Sequence, residues 1–294
     1  MKLTGSLEQE VITEGAALAP EAIIHARDKG RAEIDTATTT DTYHRDYTHA
    51  LHPGVQIFGL ERGAGGNPRL VLAFALPGDE LVHTTLTPTQ IVYPVRIQLM
   101  ASRIGDGART DLDSVREFSA PSALGKGQYL TGVVELPIPA GRYHVSAVFT
   151  QSDGRGANAH LDVVDVPGGE PALTASDLVL GRADGVRWNS GTTQVALNPL
   201  NTWPAGGSAE VYTQLSGVRP GAEYALRFDI FSKGDDAARP PRLTISATQV
   251  FGASRVEFTR TLGLANLDPG TYRVRLTISG AGRTATSEGW ITIR

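Results

Sequence analysis

A thirty-six-residue pattern recurs in this chain. Tyr129 to Val164 aligns without a gap on Phe258 to Ile293, at the 129-residue offset that separates Tyr143 from Tyr272. The first copy contains Pro139-Ala140-Gly141-Arg142-Tyr143-His144-Val145, and the second Asp268-Pro269-Gly270-Thr271-Tyr272-Arg273-Val274. Self-similarity at one fixed offset marks a duplicated structural unit. An offset this long exceeds any solenoid repeat and fits one whole domain per copy. The 294 residues have room for two such domains, each with its own core.

The hydrophobic period identifies the kind of domain. Tyr93, Val95, Ile97 and Leu99 alternate with polar neighbours, as do Tyr143, Val145, Ala147 and Phe149. Tyr224, Leu226, Phe228 and Ile230 repeat the pattern, and so do Tyr272, Val274, Leu276 and Ile278. A period of two is the mark of antiparallel strands packed on one face. Turn clusters separate these runs at Gly63–Pro68, Gly105–Gly107, Ser152–Gly154 and Lys233–Asp236. About seven strands per half, at roughly 100 residues each, predict an all-β chain of two tandem immunoglobulin- or fibronectin III-like antiparallel sandwiches. The expected division is an N-terminal segment at 1–50, a first sandwich at 51–166 and a second at 172–294, joined by the proline-bearing Val166–Pro171.

The N-terminal segment breaks the pattern. Pro20 to Lys29 predicts a short helix, with Pro20 at its first position and Gly30 as its stop. The run Asp35 to Asp41 that follows has nothing to bury and reads as an extended connector. Met1 to Glu8 lacks an apolar h-region and a cleavage pattern, so no export signal is expected in this stretch. No run approaches the ~18 apolar residues of a membrane span.

Tyr143 and Tyr272 each follow a glycine at the start of a strand, and Tyr224 follows Arg219-Pro220-Gly221-Ala222-Glu223. Such a tyrosine puts its ring in the core and returns its hydroxyl to backbone near the turn, locking the crossover between two sheets. These three residues are expected to be structural.

A wider resemblance begins at the junction of the halves. Gly141 to Val166 and then Leu173-Thr174-Ala175-Ser176-Asp177-Leu178-Val179-Leu180, with Asp153-Gly154-Arg155 and Ala209-Glu210-Val211-Tyr212, resemble a module of large exported bacterial proteins. The stretch is similar to the C-terminal sandwich pairs of GWxTD-domain proteins and to sandwiches that trail von Willebrand-type domains. The name-giving motif is missing: Gly289-Trp290-Ile291-Thr292-Ile293 ends in isoleucine where aspartate belongs. The resemblance implies an extracytoplasmic module, periplasmic or extracellular, with no catalytic residues to carry over.

Motifs for chemistry fail one by one. The chain has no cysteine, which removes disulfides, thiolate metal sites and thiol catalysis. Gly125-Lys126 lacks the first glycine and the serine or threonine of a phosphate loop, and Gly206-Gly207-Ser208-Ala209-Glu210 has glutamate where a serine elbow needs glycine. A net charge of −4 argues against nucleic acid as a partner. No cofactor is expected. The one ion the loops suit is calcium, at Asp106, Asp111 and Asp113, because calcium takes several oxygens from a single loop.

These readings predict a non-catalytic scaffold or protein-binding unit, partnered by another protein or by an upstream domain. The alternative is a carbohydrate-binding accessory module of a larger enzyme. Trp188 and Trp203, in the glycine-rich stretch from Gly181 to Gly207, would then be its contacts.

Overall fold

The computed structural model describes residues 47–168, 172–235 and 239–294. The helix expected at Pro20–Lys29 and the connector up to Asp46 lie outside them. Among the described residues the chain is built from strands, with one 3-10 turn at Gly78–Glu80. No helix there is long and apolar enough to cross a membrane.

The first half contributes β1 (Gly54–Glu61), β2 (Pro68–Pro77), β3 (Thr84–Thr87), β4 (Gln90–Arg103), β5 (Arg109–Ala120), β6 (Tyr129–Pro137), β7 (Gly141–Thr150) and β8 (Gly156–Val166). One sheet runs β1-β2-β6. The facing sheet runs β4-β7-β8, with β5 on the other edge of β4 and β3 beside its start. Between them lie Leu70, Leu72, Phe74, Tyr93, Val95, Ile97, Tyr143, Val145 and Phe149, all buried.

The second half contributes β9 (Thr174–Ala175), β10 (Val179–Gly181), β11 (Val186–Ser190), β12 (Thr193–Leu197), β13 (Thr202–Trp203), β14 (Ser208–Ser216), β15 (Glu223–Ser232), β16 (Leu243–Val250), β17 (Val256–Gly263), β18 (Gly270–Gly280) and β19 (Arg283–Ile293). β9 and β10 lie in turn along one edge of β14, and β17 lies along the other. The facing sheet runs β13-β19-β18-β15-β16. A separate core fills this body, with Trp203, Tyr224, Phe228, Phe258, Tyr272 and Leu276 among its members.

The two halves share one plan. β2, β4, β5, β6, β7 and β8 find their counterparts in β14, β15, β16, β17, β18 and β19, and β1 matches the broken pair β9 and β10. A three-strand sheet facing a four-strand sheet in this order is the immunoglobulin/fibronectin III-like sandwich. Tyr143 and Tyr272 occupy the same place in it. The Tyr143 hydroxyl donates to Pro139 O at 2.8 Å, and the Tyr272 hydroxyl to Asp268 O at 2.8 Å. Tyr224 closes the corresponding corner from the other side, accepting from Arg219 N at 2.8 Å.

The repeat is not gap-free in space. Tyr143 pairs with Val164, whereas Tyr272 pairs with Ile291, so the last strand is displaced by two residues from the linear alignment. The hairpins explain the shift. β18 and β19 join through Ala281 and Gly282, both at positive φ (49° and 73°), as a tight two-residue turn requires. β7 and β8 join through a longer loop, and their register slips between Tyr143 and Val145.

Candidate functional site at the junction of the two sandwiches

β2 reads Pro-Arg-Leu-Val-Leu-Ala-Phe-Ala-Leu-Pro, and every residue from Leu70 to Leu76 is fully buried. A strand that reads as an unbroken apolar run is covered on both faces. Leu70, Leu72 and Phe74 point into the first sandwich. Val71 and Ala73 point the other way, where they join Phe58 and Leu60 of β1 in a third apolar cluster. The second sandwich supplies Val179, Tyr212, Trp188, Val195 and Leu197 to that cluster. The last three sit on the β11–β12 hairpin, which folds out between β10 and β13 and packs on the first sandwich.

Polar groups stitch the rim of this cluster. Glu61 N donates to Gln214 Oε1 at 2.7 Å, and Gln214 Nε2 donates back to Glu61 O at 2.7 Å. Gln214 Nε2 also reaches the Tyr212 hydroxyl at 2.8 Å, which donates to Glu257 Oε1 at 2.7 Å. Glu257 accepts from Ser190 and, at 2.6 Å, from Thr193 as well. Ser190 Oγ in turn accepts from Gly63 N at 3.0 Å, which ties the β1–β2 turn into the same net. A buried network satisfied at each member is rigid, because any opening leaves polar groups dry and unpaired. Burial raises the Tyr212 phenol far above its usual range, so it stays a donor to Glu257.

Two further ties cross the junction. Trp188 Nε1 donates to Glu135 Oε1 at 2.9 Å, and Arg69 grips the other oxygen of the same carboxylate. Gly59 N donates to Asp177 Oδ2 at 2.8 Å. Burial pushes the Asp177 carboxyl up to about 6, against the lowering effect of the Gly59 hydrogen bond and with a smaller push from Asp165.

The residues singled out in the sequence fall elsewhere or serve differently. Trp188 is only 3% exposed, edge-on to Tyr212 at 6.3 Å, and Trp203 is 1% exposed within the second core. Stacking on a sugar needs an open ring face, and neither tryptophan has one; both are packing residues. The three aspartates do not share a loop. Asp106 lies in the β4–β5 turn and accepts from Ala108 N at 3.0 Å, while Asp111 and Asp113 belong to β5. Arg96 grips both oxygens of Asp113, at 2.8 and 2.5 Å, and holds its carboxyl below the usual range. Among the described residues no three His, Asp or Glu side chains converge in a way that could hold a metal.

The junction itself went unmarked in the alternation of the strands. Its signal was the absence of alternation: seven consecutive apolar residues from Leu70 to Leu76, where a one-sided strand would show polar positions.

No protein-family model matches the chain, and no curated protein matches it. Among solved structures it is similar to red sea bream transglutaminase, at 9% identity and a TM-score of 0.25 over 91% of this chain. It spans 34% of that protein's length. It is also similar to the FN1–FN3 domains of chicken CNTN1, at 10% identity and a TM-score of 0.24, over 77% of this chain and 75% of that one.

Proposed function

We propose that this chain is a non-catalytic tandem β-sandwich module, a scaffold or protein-binding unit that presents two sandwiches in one fixed arrangement. The observation that carries this reading is where the polar groups at the junction go. Gln214, Tyr212, Ser190, Glu257, Glu135 and Asp177 are all engaged in holding the two bodies or their hairpin together. A catalytic centre would need some such groups left facing a cleft. A bacterial, extracytoplasmic setting is supported by the resemblance of the junction strands to modules of exported proteins, and such modules act through partners.

Pulsed EPR tests the rigidity directly. Spin labels go on Val115→Cys in the first sandwich and Thr286→Cys in the second, both exposed, in a chain with no other cysteine. With labelled protein diluted into unlabelled chain, one narrow distance is expected. A broad distribution would overturn the fixed scaffold, and turnover in a panel of glycosides and esters would overturn the non-catalytic reading.

A further inference from the structure

The two sandwiches expose equivalent edge strands, β5 and β16, and the two are built in opposite ways. β5 carries Arg109, Asp111, Asp113, Arg116 and Glu117, the charged composition that keeps an open sheet edge from recruiting other strands. β16 reads Leu-Thr-Ile-Ser-Ala-Thr-Gln-Val, without a charge, proline or glycine. Among the described residues it pairs with β15 alone, so its outer row of N–H and C=O groups is open. Val250 at its end is 57% exposed. Eight uncharged residues rich in β-formers, with a free backbone edge, form a template for strand addition.

We infer that β16 is a homodimer edge, where a second copy of this chain adds its own β16 antiparallel across a two-fold axis. An axis perpendicular to the sheet keeps the same face on the same side in both copies, so each side chain meets a partner from its own row. With the axis at Ser246, Thr244 stands opposite Thr248 and Ile245 opposite Ala247. The outward row then pairs hydroxyl with hydroxyl at Thr244, Ser246 and Thr248, a favourable cross-strand combination, while in the other row Ile245 meets Ala247 and Leu243 meets Gln249.

The same chemistry selects the partner. A strand with no charge gains nothing from a charged foreign strand, which would lose hydration at the contact without an opposite charge in return. Its own copy brings a matching hydroxyl row and, within the strand, no like charges. The contact closes on itself as a pair, and the five-strand sheet β13-β19-β18-β15-β16 continues into its symmetry mate. The inference goes beyond the scaffold reading, since a monomer would hold its two sandwiches equally well.

Sedimentation equilibrium on the full chain tests it, with Ser246→Lys and Thr248→Lys as edge variants and Val115→Lys as a control on β5. The expected result is twice the 31.2 kDa chain mass for the unaltered protein and for Val115→Lys. Each β16 variant is expected to fall to one chain mass, with an unchanged circular dichroism spectrum. As an independent readout, Ser246→Cys provides a single thiol at the axis and should oxidise to a covalent dimer at least tenfold faster than Val115→Cys. A monomeric unaltered chain overturns the proposal, as does a dimer that survives both lysines or thiols that cross-link at equal rates.

Discussion

The side-chain amide of Gln214 lies against the backbone of Glu61 and exchanges two hydrogen bonds with it, each 2.7 Å long. Glu61 is the last residue of β1 and Gln214 lies within β14. One side chain thus acts as a single residue of a missing strand, meeting a backbone donor and acceptor that the first sandwich leaves open. Replacement by leucine keeps the volume and strands both groups. Gln214→Leu is expected to cost ~2–4 kcal/mol, since each buried unsatisfied group costs about 1–3. Denaturant unfolding measures the loss.

Asp177 makes the junction sensitive to pH. Its carboxyl titrates near 6 in the folded chain, above the ordinary 3.8, so between those values the folded state holds the proton more tightly than the unfolded one. Stability therefore falls as pH rises from 4 through 6 and is level above, by roughly 1–3 kcal/mol. Asp177→Asn keeps an acceptor for Gly59 N and removes the charge. It is expected to flatten this slope and to be the more stable protein at pH 7, as urea midpoints taken across pH 4 to 8 should show.

The three tryptophans divide by exposure. Trp290 is 46% exposed, while Trp188 and Trp203 are buried. Acrylamide should quench one component of the emission, and Trp290→Phe should remove that component. Titration with polysaccharides should leave the emission of Trp188 and Trp203 unmoved. A shift that persists in Trp290→Phe would restore them as sugar contacts.

Tyr143 and Tyr272 do the same work in separate bodies. Tyr143→Phe and Tyr272→Phe each lose one hydroxyl-to-carbonyl bond, an expected cost of ~0.5–1.5 kcal/mol. The residues lie in separate cores, so the double variant should lose the sum. Guanidinium unfolding of the three variants checks both statements.

Much of the fold was legible because it is written in local terms. Alternation at Tyr93–Leu99 and Tyr272–Ile278 follows directly from strands with one dry face, and a glycine before Tyr143 or Tyr272 is what a corner turn requires. The hairpin at Ala281-Gly282 and the bulge in β7–β8 shift a register by two residues while leaving the apolar pattern intact, so the linear repeat hid them. The junction was illegible for a different reason. Gln214 and Ser190 look like ordinary outward-facing strand and turn residues, yet both are buried where Glu61 and Gly63 of the first sandwich meet them. Trp188 and Trp203, offered as sugar contacts only in the alternative reading, are buried because the glycine-rich stretch around them folds into a hairpin on the first sandwich and an added strand in the second.

β2 has solvent on neither side, and the outer of its two contacts belongs to the other half of the molecule. Produced alone, residues 47–168 should therefore expose Phe58, Leu60, Val71 and Ala73, bind a dye such as ANS and aggregate, whereas the full chain should not. Resemblance between the halves invites a view of them as interchangeable beads. They are closer to a lock and its only key: a recombination event that carried off one without the other would inherit an adhesive wall in place of a domain.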